Sequence, residues 1–365
     1  MSSLLTKCVA IALALCMLVG IGCSAEVNAA TEPSKKPQSL LEGIGEVVSG
    51  GYITVNGIKN ALYKEFADPD EAIADLYHQI PSYLATLANE YNLERLSSSN
   101  WTKYQESMYK LAESTTGLTE YTETSQDFRT LRAFFDMYEN STKNEEIVKL
   151  YTTISSERSS NYAELILLLP YTAPIVREYA TKNTYRTGEA HISVEDAISY
   201  ATQYATAPNT PTYYYFSNGD CANFASQILE QAGLTQDAST SEYSGWWHTR
   251  TSGFLGFGYT HKHSRSWTMA DTFSKYMGIV FTTTSHLAFS ENIEPGSIIS
   301  ADFDSDGDWD HVGFVTDKNL TIGSCGYYDY RVAQHSTNYH DWASTDTNGW
   351  DTIEADGGTY ARVMN

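Results

Sequence analysis

Basic residues are scarce in this chain. Its 365 residues hold 23 Lys+Arg against 45 Asp+Glu, a formal charge of −22. Phosphate backbones and anionic lipid surfaces need a cationic face, so nucleic-acid and anionic-membrane binding are excluded as main functions. Long apolar runs are missing beyond residue 30, which leaves no further segment able to span a bilayer. Cysteine is rare: outside the first 23 residues only Cys221 and Cys325 occur. No Gly-rich phosphate loop, zinc-type Cys/His spacing, G-x-S-x-G elbow or internal repeat is present.

The N-terminus has a different character. Lys7 precedes "CVAIALALCMLVGI", followed by small residues and Val27-Asn28-Ala29. A positive start, a short apolar stretch and a small-x-small site match a secretory signal peptide over 1–29, so the chain is expected to be secreted, with cell-wall association open. A lipoprotein signal acylated at Cys23 ranks second, because the glycine three residues before it fits poorly. Residues 30–39, including "TEPSKKPQ", read as a disordered lead-in.

Residues 40–186 read as a mostly helical domain. Ile73, Leu76, Tyr77, Ile80, Leu84 and Leu87 recur at helical steps interrupted by Pro81. Phe128, Leu131, Phe134, Phe135 and Tyr138 form a second stripe, "EEIVKLYTTI" a third, and "NYAELILLLPYTAPIVREYA" a fourth bent at its prolines. "GGYITVNG" suggests a hairpin or strand. Near "RTGEAHIS" the composition changes: six of the seven tryptophans lie beyond it. Residues 192–365 offer a helix in "ISVEDAISYATQYA" with Ser193 as N-cap candidate, helices at 221–232 and 266–277, then strand-like segments "SIISADF", "HVGFVTD", "NLTIGS", "YRVAQHS" and "YARVM". Helices followed by antiparallel strands give an α+β class.

Chemistry concentrates in "SNGDCANFASQ". Asn218-Gly219 makes a turn and Asp220 is an N-cap candidate for a helix starting at Cys221. A thiol there meets the positive helix terminus and unpaired N–H groups, which favour thiolate. The unspecialised alternative is a buried structural cysteine, and a Cys221–Cys325 disulfide is also open. A base is supplied by His311, which begins the apolar segment "HVGFVTD". His335, in "YRVAQHS", could orient its ring, with Asn338 the fallback. His261 and His263 form an alternative pair better suited to a surface or metal loop. The Cys221 backbone N–H and Tyr215 are candidate oxyanion donors. Trp246, Trp247, Tyr259 and Trp309 are candidates for lining a cleft.

"DFDSDGDWDH" places Asp302, Asp304, Asp306, Asp308 and Asp310 at alternate positions around Gly307. This is the first half of a calcium loop, although the twelfth position is Gly313 where an EF-hand has Glu. A structural Ca²⁺ is therefore expected as an alternative to a plain acidic turn, with no cofactor needed for the chemistry.

Together "NGDCANFASQILEQAGL", "SRSWTMADTFSKYM", "PGSIISADFDSDGDWDHVGFVT" and "QHSTNYHDW" resemble, in order, the bacterial putative amidase domain family, related to papain-like cysteine peptidases and amidases. The resemblance covers about residues 192–362, with Ala222 in place of the usual Thr and Ile228 where a second Cys is common. It implies a papain-like fold and a cysteine hydrolase acting on amide bonds, with cell-wall or other short peptide as substrate. A non-catalytic, calcium-stabilised surface or interaction protein is the alternative.

Overall fold

The computed structural model describes residues 39–114, 121–157, 162–182, 192–237, 241–252, 258–345 and 348–364. The expected signal peptide, Cys23 and the lead-in up to residue 38 lie outside them. Among the described residues, no helix is long and apolar enough to cross a membrane.

Two small antiparallel pairs come first: β1 (Val47–Ser49), β2 (Tyr52–Val55), β3 (Ile58–Ala61) and β4 (Lys64–Phe66), with β1 on β4 and β2 on β3. The turn Asn56-Gly57 has φ of 51° and 80°, the paired positive values that a two-residue hairpin turn demands. Asp68 then caps α1 (Pro69–Gln79) by accepting from the N–H groups of Asp70 and Glu71. Pro81 separates it from α2 (Pro81–Glu90), and α3 (Trp101–Ser114) follows.

The second and third expected stripes are one helix, α4 (Gln126–Ser156), 31 residues long. Its polar middle survives because Asn144 bonds both the N–H and the carbonyl of Tyr63, while Asn140 donates to the carbonyl of Lys64. Tertiary bonds override weak local propensity there. The short α5 (Ala163–Leu168) and α6 (Pro174–Lys182) complete this half.

The second half opens with α7 (Val194–Tyr204), capped by Ser193, and α8 (Cys221–Gln231). A hairpin of β5 (His248–Ser252) and β6 (Tyr259–His263) stands apart from the main sheet. Then come α9 (Arg265–Thr268), α10 (Ala270–Met277), β7 (Ile279–Thr283), α11 (His286–Glu291), β8 (Ile298–Asp302), β9 (His311–Lys318), β10 (Tyr330–Gln334), β11 (Tyr339–Trp342), α12 (Ile353–Asp356) and β12 (Thr359–Val363). Six strands form one antiparallel sheet in the order β11-β10-β9-β8-β12-β7. The class is α+β. Residues 319–324, read above as a strand, form the β9–β10 connection instead, with Leu320 and Ile322 exposed.

One face of the sheet, through Val312, Phe314 and Ala333, buries α8 residues Phe224, Ala225 and Ile228. The other face, with Ile299, Val332, Tyr330 and Tyr360, packs against Phe289 and Trp350. Helix-on-sheet packing therefore sets the N-terminus of α8 beside the start of β9.

Candidate active site

Cys221 begins α8, and its thiol lies against the backbone N–H groups of Val312 and Ala222 and the hydroxyl of Ser336. Each favours thiolate, as the helix-terminus argument requires. Burial works the other way and wins: Cys221 is 6% exposed, and its thiol is pushed up to about 11. Cys221 and Cys325 are both free, so the disulfide alternative falls.

Asp220 does not cap α8 with its side chain. Its carboxylate accepts instead from the Phe216 N–H, the Asn223 amide and His335 Nδ1, the last at 2.5 Å. His335 Nε2 lies 2.9 Å from the carbonyl of Tyr204, and the ring stacks on Phe224 at 3.8 Å. Both ring nitrogens are thus committed to acceptors. The expected role of His335 in orienting His311 is corrected: it anchors the turn before Cys221.

His311 is 5% exposed, between Phe303 and Trp350. Its Nε2 is buried with no hydrogen-bond partner. Burial lowers its pKa to about 4, Gln334 opposes that shift by hydrogen bonding, and the Arg132 charge adds to it. Gln334 is the polar side chain that acts on this ring, and its own Oε1 accepts from Trp350 Nε1 at 2.8 Å. Sequence reasoning missed Gln334, although it sits next to His335. Asn338 bonds Tyr215, and the Tyr215 hydroxyl donates to Glu113 at 3.1 Å, which engages both away from the roles expected of them. His261 pairs with His248 at 2.9 Å on the β5–β6 hairpin, and His263 faces His248 across it.

The helical half reaches Cys221 and His311 separately, and no interaction between the two is among those acting on either group. Tyr109 of α3 is close enough for Cys221 and Asp310 to raise its pKa, after burial as the main cause. Arg132 of α4 lies over the Phe303 ring at 3.2 Å. A cavity of about 200 Å³ opens between the halves, with Tyr109, Arg132, Lys143, Asp308, Trp309 and Asp310 in its wall. Neither Cys221 nor His311 lines it. Trp309, stacked on Tyr171 at 4.2 Å, is 1% exposed, Trp246 and Trp247 are core, and Tyr259 is exposed under Arg250.

All five aspartates of the acidic stretch fall on the β8–β9 connection, at the end of β8 and directly before His311. Burial and mutual repulsion push Asp302, Asp304 and Asp310 well above the carboxylate range, and Asp306 up to about 7. For Asp308 burial also opposes ionisation, but Lys143 and Lys275 outweigh it and hold the carboxyl below its usual value.

Residues 192–363 match the family described as "Putative amidase domain". The chain is also similar to an uncharacterised protein, YhbB, of Bacillus subtilis (strain 168), 29% identical over 141 residues. That stretch is 37% of this chain and 42% of the relative, so less than half of the relative's length is spanned. No solved structure matches the chain.

Proposed function

We propose that the chain is an exported cysteine hydrolase of amide bonds, with a papain-like arrangement of helix and sheet. The observation that carries this reading is the setting of Cys221: a thiol at a helix N-terminus, against the N–H of Val312, one residue from His311. The match of residues 192–363 to an amidase domain supports the reaction class. In this reading Cys221 attacks the carbonyl carbon, and His311 takes the thiol proton and returns it to the leaving amine. Gln334 holds the His311 ring, a positioning role. First-turn N–H groups of α8 would face the developing oxyanion. The substrate would be a peptide, cell-wall peptide among the candidates.

Both groups are buried and neutral as they stand. The described form is therefore read as resting, and Tyr109 and its neighbours on the helical half have to yield before a substrate carbonyl reaches Cys221. The same burial favours a second reading, a non-catalytic secreted surface protein. Incubating the full chain and its Cys221→Ala variant with peptidoglycan and peptide amides, followed by mass spectrometry, separates them. Products from the wild type alone support the enzyme; no product from either supports the second reading.

A further inference from the structure

The β8–β9 connection has a shortage of positive charge. Asp302, Asp304, Asp306 and Asp310 form no ion pair with any described residue. The Lys143 ammonium pairs with Asp136, Glu139 and Asp308 instead. Buried carboxylates without a counter-charge are costly, and so are carboxylate oxygens without donors.

The hydrogen bonds of the loop show a pattern. In most of these carboxylates, one oxygen is used to shape the chain. Asp302 Oδ2 accepts from the Gly307 N–H, Asp304 Oδ1 from Asp306, Asp306 Oδ1 from Asp308, and Asp310 Oδ2 from Phe303. The second oxygens of Asp302 and Asp304 are left over. Asp302 is 0% exposed, yet its Oδ1 has no partner; Asp304 Oδ2 has none either. Two triads whose oxygens lie within 4.8 Å of one another share Asp304: Asp302, Asp304 and Asp306, and Asp136, Asp304 and Asp310.

Asp136 comes from α4, far away in sequence, and its Oδ2 is also buried without a partner. One turn further along α4, Asn140 is 0% exposed, with its amide donating to Asp306 Oδ2 at 2.7 Å and its own oxygen unpartnered. The loop tip is seated on the same half. The Gly307 carbonyl accepts from the Tyr171 N–H at 2.8 Å, and a Cβ on Gly307 would come within 2.9 Å of Thr172 Oγ1.

We infer that the Asp302–Asp310 loop and Asp136 of α4 form one calcium site shared between the helical half and the catalytic sheet. Oxygen-only donors, several of them carboxylates on one loop, suit Ca²⁺; Zn²⁺ and copper favour nitrogen and sulfur, and Mg²⁺ keeps a rigid shell of water. The loop supplies the alternate aspartates of a calcium loop but ends it with Gly313. Asp136 supplies in space the carboxylate that the twelfth position lacks in sequence. The bound ion would clasp α4 to the connection that carries His311, and so would hold the helical half over Cys221. This holds whether or not Cys221 turns over substrate.

The test uses the full chain after chelator treatment, with calcium chloride as the only added ligand. Isothermal titration is expected to give saturable binding for the wild type and for the exposed control Asp196→Asn, and at least tenfold weaker binding for Asp136→Asn. Hydrogen exchange on the wild type reads the same point without a variant: calcium is expected to slow exchange both in residues 302–311 and across residues 132–144 of α4. No binding by the wild type overturns the site. Equal affinity in Asp136→Asn, or protection confined to the loop, overturns its sharing between the halves.

Discussion

His335 Nδ1 and Asp220 Oδ2 form a buried pair at 2.5 Å, with side-chain exposures of 0% and 1%. The pair joins the end of β10 to the residue before Cys221, so it holds the turn that leads into α8. Removing one partner leaves the other's buried polar atoms without their hydrogen bonds, which costs about 1–3 kcal/mol. His335→Ala and Asp220→Ala are each expected to lower the unfolding free energy by that amount in denaturant titrations. The folded fraction of His335→Ala should keep kcat within about tenfold of the wild type, since a positioning contact is lost and no acid or base. A loss near a thousandfold with unchanged stability would return His335 to the catalytic set.

Gln334 contacts the ring that His335 does not. Gln334→Ala is expected to lower kcat up to about 100-fold with KM little changed, through misplacement of His311. It also strands Trp350 Nε1, at a cost of about 1–3 kcal/mol. Gln334→Asn, which keeps an amide, should recover part of kcat. A rise in KM at constant kcat would assign Gln334 to substrate binding instead.

Burial makes Cys221 a slow thiol. Iodoacetamide at neutral pH is expected to modify the exposed Cys325 before Cys221. Tyr109→Ala, which thins the cover, should speed Cys221 modification while leaving Cys325 unchanged, as read by peptide mass spectrometry. Equal Cys221 rates in the two proteins would remove Tyr109 from the cover.

His286 contributes, alongside the buried His311, to the loss of stability in acid. It is 4% exposed, its Nε2 lies 3.0 Å from the Tyr330 hydroxyl, and Tyr327 and Tyr360 flank its ring. The Glu354 carboxylate accepts from its backbone N–H. Burial lowers its pKa from 6.5 to about 3. The unfolded chain then binds the proton first, so stability present above pH 6.5 is lost as pH falls towards 3. His286→Gln should flatten that part of the stability curve, and an unchanged acid slope would show that another group carries it.

Local signals in the sequence held up where they were physical and short-range. Ser193 caps α7 and Pro81 divides α1 from α2, as read. Cys221 heads its helix and His311 its strand. What failed needed register or distance. Gln334 and His335 are neighbours, so in a strand they project to opposite faces, and only the β9–β10 pairing (Val332 with Val315, Ala333 with Phe314) selects the one that reaches His311. Asp136 lies so far along the chain from the acidic loop that no spacing rule connects them. The continuity of α4 through Asn140 and Asn144 depends on bonds to β4 and its approach, which no local propensity reveals.

The central claim is that Cys221 is a nucleophile, and trapping tests it most directly. The full chain, incubated with a peptide amide and acid-quenched, should show a mass increase equal to the acyl group, mapped to Cys221 and absent from Cys221→Ala. His311→Ala should accumulate little or none of it, because the thiol proton has no acceptor. Hydrolysis that persists in Cys221→Ala, or an acyl group mapped to any other residue, would contradict the account.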